Sequence, residues 1–364
     1  MDISPFPFFG PLEPDQVEGR GDLIADLTER ITARRVAALL GPRRYGKTSL
    51  LRRVASDLEQ GGASTLWFDL YEVSSMADLA IRLDEGMKRA RPALAETLAS
   101  IAAGISVDVG FVRVNLTGPA RRRPDPVGVV HGQLEAIVAL GQRLPLVVFF
   151  DEFSGIAGIE GAAGLLRTHL QHHYQEIGLV FAGSEPSMMT ALFSDQSQPF
   201  YAQAELIQMP PFGTAEVADI VGRGFTATGR DAGPVPPLIA NFSGGHPQRA
   251  MQLADVAWRL TPGGESATDE TWEQVLGTAR REVASGLERL YSSLPSGEKA
   301  VLRIIASGGS IFGAAAALLD LSSGGAQHAR QRLVDHGHLR KDVTDTLIVT
   351  DPLFADWLRT RVPV

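Results

Sequence analysis

Cysteine is absent from the 364 residues, which excludes disulfides, thiolate metal sites and cysteine nucleophiles and fits a reducing compartment. Long apolar runs are missing too, so nothing has the length of a bilayer-spanning helix. The start, MDISPFPFFGPLEPDQ, carries an acid where a secretory signal needs basic residues. The expectation is a soluble, cytoplasmic protein with no membrane partner. An excess of positive charge is also lacking. The formal net charge is −8, so the molecule as a whole repels nucleic acid at long range. That charge is uneven: from Ser296 to Val364 eight Lys/Arg stand against seven Asp/Glu, a net +1, leaving −9 for the first 295 residues. Any contact with nucleic acid has to be local. Hydrophobic residues at 44% are ordinary for a folded chain. The length exceeds what one core usually supports, so about two or three domains are expected.

What is present starts with VAALLGPRRYGKTSLLRRV, residues 36–54, which reads as strand, phosphate loop and helix. The spacing is G-x-x-x-x-G-K-[ST]. Gly41 and Gly46 permit backbone angles that let successive N–H groups point at an anion. Lys47 brings a compact charge to the terminal phosphates, and Thr48 offers a hydroxyl to Mg²⁺. The helix that follows adds its positive dipole end.

Upstream, the proline- and phenylalanine-rich residues 1–18 read as an extended arm. Leu23, Ile24, Leu27 and Ile31 predict a helix within residues 19–35. The arm then lies near the nucleotide base, or the helix simply covers a sheet edge. Downstream, Thr65–Leu70 reads as a second strand, with Asp69 at its carboxyl end facing the ligand crevice, capping a helix or facing solvent. Residues 76–103 read as helical and Ile105–Leu116 as a hairpin. Arg121, Arg122 and Arg123 form a basic loop that is solvated or meets phosphate or a partner. After a helix from Val127 to Leu140, Leu146–Phe150 is an unbroken apolar strand suited to the centre of a parallel sheet. It ends in Asp151-Glu152. Asp151 suits the Mg²⁺ shell beside Thr48, and Glu152 suits orienting and deprotonating water.

The segment from Gly161 to Gly178 reads as a helix, with Arg167 a candidate arginine for a neighbouring subunit. His169 and His173 are spaced to hold a metal but, lacking an evident third ligand, are better read as facing solvent. Leu179–Gly183 is a further strand, and Ser184 at its end is a candidate sensor of the terminal phosphate. Glu205–Met209 makes a fifth strand. From Gly213 to about Leu294 the pattern is helical. There Pro247 opens a helix, and Arg249 reaches back to phosphate or lies on the surface. The remainder orders helix, helix, helix and hairpin, the pattern of a winged helix, with His328, Arg330 and Arg332 facing outward.

An Asp-Glu pair after the third strand and a polar sensor after the fourth resemble the layout of ATPases with an additional catalytic glutamate. Together with Gly19-Arg20, GPRRYGKTSLLRR, FFDEF, FAGSEPSMM, SGGHP and DPLFADWL, the chain is similar to the AAA+-related signal-transduction ATPases called STAND, specifically the archaeal-type ATPase family. That resemblance implies an α/β P-loop NTPase core of the AAA+/ASCE type with a five-stranded parallel sheet, residues 1–212. A helical lid, 213–294, and a C-terminal winged helix, 295–364, follow. It further implies that Gly41, Pro42, Arg43, Arg44, Tyr45, Gly46, Lys47, Thr48 and Ser49 cradle phosphates, with Pro247 touching the adenine side. Thr48 and Asp151 manage Mg²⁺, Glu152 and Lys47 serve catalysis, and Ser184 and Arg249 act as sensors. The cofactors are ATP and Mg²⁺. Expected partners are ATP or ADP, a protein partner or a second copy, and DNA through the winged helix. The activity implied is a slow or partner-stimulated ATPase switch. The alternative is an ATP-regulated DNA-binding regulator or replication-initiator-like protein. Two departures stand out: the sensor strand ends in Gly-Ser where many relatives carry Asn, and no arginine announces itself as a trans finger.

Overall fold

A computed structural model describes residues 3–104, 125–342 and 344–364. The predicted hairpin at 105–116 and the arginines at 121–123 lie outside the described residues. Helix α1 (Gly21–Thr32) leads into β1 (Ala37–Leu40), α2 (Lys47–Gln60), β2 (Ser64–Asp69), α3 (Met76–Lys88), α4 (Pro92–Gly104) and α5 (Pro126–Gly141). There follow β3 (Leu146–Asp151), α6 (Ala162–Leu170), β4 (Ile177–Gly183), α7 (Pro186–Ser194) and β5 (Glu205–Gln208). The five strands pair in the order β2-β3-β4-β1-β5, and every pairing is parallel. Parallel pairing needs both faces covered. One face buries Phe68, Phe150 and Phe181 beneath α3–α6, and the other buries Leu39, Phe149 and Val180 beneath α1 and α2.

Two predicted helices are shorter than their patterns. The stretch 76–103 divides at Pro92, which opens α4 at its first turn because proline cannot sit inside a helix but suits its start. The helix from Gly161 stops at Leu170. Beyond it the chain makes backbone turns, His173 N–H to Leu170 O and Glu176 N–H to His173 O, both at 3.0 Å, before β4 begins.

The helical segment is a four-helix unit of α8 (Thr214–Ala227), α9 (Val235–Ser243), α10 (Pro247–Leu260) and α11 (Asp269–Ser293). Its core includes a residue from the N-terminal arm, Phe6, which is 1% exposed and packs on Phe225. Gly224 has no side chain because Phe6 takes the space: a Cβ there would lie 2.4 Å from the ring. The last segment comprises α12 (Ser296–Ala306), α13 (Ala314–Leu318), α14 (Ser323–Asp335), β6 (Leu339–Lys341), β7 (Leu347–Val349) and α15 (Pro352–Arg361). The hairpin β6-β7 is antiparallel, and the whole has its own core around Val301, Leu333 and Phe354. This is the winged-helix arrangement, with α14 packed against α7 of the sheet domain. Among the described residues no helix is long and apolar enough to cross a membrane.

Candidate functional site

The strand order decides what meets at the sheet's carboxyl edge. With β4 between β1 and β3, whatever follows β4 lies between the phosphate loop and the acids. The loop turns into α2 through Gly46, held at φ 85°, where a side chain would be strained. Arg44 has a φ of 66° and Glu152 one of 50°, non-glycine residues in a region that costs energy and gathers at functional sites.

Lys47 is 5% exposed, and its Nζ donates to the carbonyls of Gly41 at 2.8 Å and Pro42 at 3.0 Å. The ammonium is thus curled into the mouth of its own loop. Burial pulls its pKa down to about 8, against the attraction of Glu152 and Asp151. Thr48 Oγ1 donates to Asp151 Oδ2 at 2.7 Å. Burial raises the Asp151 carboxyl to about 6, opposed by that hydrogen bond. Beside it, Glu152 Oε2 accepts both the N–H of Ser184, at 3.0 Å, and its hydroxyl, at 2.6 Å. The predicted sensor is therefore in contact with the predicted base. The hydroxyl and carboxylate pair of Thr48 and Asp151 are hard oxygen donors of the kind Mg²⁺ takes alongside phosphate oxygens.

From the loop a cavity of about 510 Å³ runs between the arm and the lid. Arg44, Tyr45, Lys47, Thr48 and Glu152 line its phosphate end, and Phe8, Pro247, Gln248 and Met251 line the far end. The arm is fixed there by two bonds, Leu12 N–H to Ser49 Oγ at 3.0 Å and Gln248 Nε2 to Phe8 O at 3.3 Å. Arg20 and Tyr71 also line this cavity. Arg20 lies over the Phe212 ring at 4.5 Å, and burial lowers its pKa to about 10. Composition and periodicity singled out neither residue. For Tyr71 the signal was its place just after a strand end, and for Arg20 the Gly-Arg pair before the first helix.

Two expectations, those for Arg249 and His169, are corrected. Arg249 neither reaches phosphate nor lies on the surface: it is 6% exposed, and its guanidinium holds Asp351 at 2.5–3.1 Å. Asp351 also caps α15, and that acid, far along the chain, outcompetes the cavity. Asp69 faces solvent, the alternative to the crevice, and accepts the N–H of Tyr71 at 3.0 Å; Tyr71 reaches the cavity. Arg167 is half-buried, with its Nε enclosed without a hydrogen-bond partner. His169 turns toward α5, 2.6 Å from His131. Arg332 is exposed on α14 together with His328 and pairs there with the buried Glu298 at 2.9 Å, while Arg330 is half-buried.

Behind the loop, Tyr45 is 1% exposed and meets the His246 ring edge-on at 5.0 Å. His246 caps α10, its Nδ1 accepting the N–H of Arg249 at 3.4 Å. Burial drives its pKa down to about 4, with Asp351 opposing. From the winged helix, Arg340 reaches the carbonyl of Gly244 at 3.5 Å. A second pair, Arg280 with Asp356 at 2.8 Å, joins α11 to α15.

The class defined by this sheet order, loop and acid pair, with a lid and a winged helix, is the AAA+ type P-loop ATPase fold. Among solved structures the chain is similar to the Walker-type ATPase PABY2304 of Pyrococcus abyssi, with a TM-score of 0.71 and 18% identity over 98% of this chain and 99% of that one. It is also similar to the ORC2 protein of Aeropyrum pernix in its ADPNP–ADP complexes, with a TM-score of 0.58 and 17% identity over 97% and 95%. The ORC1 protein of Aeropyrum pernix in complex with DNA gives a TM-score of 0.50 and 15% identity over 95% and 93%. No protein-family model and no curated protein sequence matches the chain.

Proposed function

We propose that this protein is an ATP-binding and ATP-hydrolysing molecular switch of the STAND/AAA+ type, in which nucleotide state in a core of residues 1–212 is passed through a lid, 213–294, to a winged helix, 295–364. The observation that carries this reading is that Lys47, Thr48 and Glu152 line one cavity, with Asp151 hydrogen-bonded to Thr48 beside it. Lys47 exchanges its two loop carbonyls for phosphate oxygens, a charge-assisted and stronger bond. Thr48 and Asp151 hold Mg²⁺, which supplies neutralisation of the charge shared by the terminal phosphates. Glu152 accepts the proton of the attacking water once its carboxylate leaves Ser184. That prior engagement of Glu152 supports slow turnover, raised by a partner or a second copy. Gly41 to Ser49 wrap the phosphates, and Pro247 borders the base. The absence of cysteine fits a cytoplasmic setting.

A second reading, a DNA-binding regulator or replication-initiator-like protein controlled by ATP, is favoured by one observation. The fold is shared along nearly its whole length with a protein solved on DNA. ATP turnover of the wild-type chain and of Lys47→Ala and Glu152→Gln, measured with and without duplex DNA, tests both. Turnover that vanishes in both variants and ignores DNA supports the first reading. Tight duplex binding that ATP alters, with negligible turnover, replaces it with the second.

A further inference from the structure

We infer that Arg43 is the cation that neutralises the terminal phosphoryl group, supplied in cis by the phosphate loop itself, so that the site carries its own arginine at the reacting end. This rests on the hydrolytic reading above and adds to it a residue that separates ATP from ADP.

Arg43 stands between Gly41 and Lys47, and its side chain leaves the loop toward the acids. Its Nε lies 3.4 Å from Ser184 Oγ, its guanidinium 3.7 Å from Glu185, and its terminal carbon 5.8 Å from the centre of the Tyr71 ring. Ser184 is the residue that binds Glu152. The guanidinium is therefore one hydroxyl away from the carboxylate assigned to water, on the strand end between that carboxylate and Lys47.

Every one of these contacts is weak. A bond of 3.4 Å is at the long limit, and a 3.7 Å ion pair on a side chain 58% exposed is screened by solvent. Phosphate oxygens offer the same guanidinium short, bidentate bonds, so the exchange favours the nucleotide. Two other arginines line the cavity, Arg20 stacked over Phe212 and Arg44, which also borders the groove beside Phe8 and Phe9. Among the described residues, however, the arginine contact to Ser184 comes from Arg43; Arg249 is committed to Asp351.

In the reaction, the water oxygen bonds to the terminal phosphorus, and the bond from that phosphorus to the bridging oxygen breaks. The electron pair leaves with ADP, and the water proton passes to Glu152. Charge builds on the oxygens that Arg43 faces. Withdrawing Arg43 from Ser184 also changes the surroundings of the hydroxyl that holds Glu152, so the same movement that binds phosphate bears on the base.

The test compares wild type, Arg43→Ala and Arg43→Lys by two readouts. The first is kcat for ATP. The second is equilibrium binding of methylanthraniloyl-ATP and methylanthraniloyl-ADP, with each Arg43 variant combined with Glu152→Gln to block turnover. Arg43→Ala is expected to lower kcat a hundredfold or more, in the range of arginine removal from phosphoryl-transfer sites. It should also shrink the ATP:ADP affinity ratio at least tenfold. Arg43→Lys should recover part of the ratio but little of the rate, because an ammonium lacks the planar fork. An unchanged ratio overturns the assignment, whatever the rate does. If the wild-type chain binds both nucleotides without turning ATP over, the hydrolytic reading falls and the ratio alone decides Arg43. If it binds neither, both fall. Melting curves matching wild type separate these results from misfolding, which is not expected of so exposed a side chain.

Discussion

Charged groups are gathered both in front of the phosphate loop and behind it, and the two gatherings are built differently. In front, each charge is held by a group that a nucleotide can replace: Lys47 by two carbonyls, Glu152 by Ser184, Arg43 by a long contact to the same serine. Behind, charges are locked across segments: Arg249 on α10 to Asp351 before α15, and Arg280 on α11 to Asp356. A bound anion can rearrange the front by exchange, whereas the back rearranges only if the lid and winged helix part. Tyr45 belongs to the loop yet rests on His246 of the back, so the two halves share a wall.

If the front is the chemical half, Glu152→Gln gives the largest effect: a loss of about 10²- to 10⁴-fold in kcat with nucleotide affinity kept within a few-fold, read by phosphate release and by a fluorescent nucleotide. Comparable turnover in that variant removes the distinction. Next in size, Asp351→Ala strands the buried Arg249 and should cost about 3–5 kcal/mol in urea unfolding, while the double change Arg249→Met with Asp351→Leu should cost far less. Equal losses in the two would show that the pair is not what holds the back together.

A third outcome concerns acid. The folded pKa of His246, about 4, lies below its ordinary 6.5, so the unfolded chain binds its proton first. The stability this residue contributes is complete above pH 6.5 and is lost as pH falls toward 4, by about 2–3 kcal/mol. His246→Asn keeps a capping acceptor and should flatten that part of the profile in melts at pH 7 and 4.5. A variant as acid-sensitive as wild type would relieve His246 of the role. Smallest, Ser184→Ala should change kcat by about three- to tenfold, in keeping with one hydrogen bond to a charged group. A rise would mean Ser184 restrains Glu152, and a fall that it aims Glu152.

The front was legible because its parts are contiguous words. A glycine loop ending in Lys47-Thr48 and an apolar strand ending in Asp151-Glu152 each state their chemistry locally, and parallel-sheet topology brings strand ends together. Ser184 was singled out for the same reason, as the residue just after a buried strand, and it lies against Glu152. The back was not legible. Nothing around Arg249 announces Asp351, 102 residues on, and the same lack of local signal hid the contact of His169 with His131 on α5. Pairings made by domain packing leave no period in the sequence, only residues whose partners are elsewhere.

The N-terminal arm sets a limit of its own. Phe6 is seated in the lid core, and the amide of Leu12 is tied to Ser49 on α2, so the chain between them is a leash across the cleft. Six peptide steps can extend no more than about 20 Å. While both anchors hold, the helical unit and α2 cannot part at these points by more than that, so a length of backbone bounds any separation of the two.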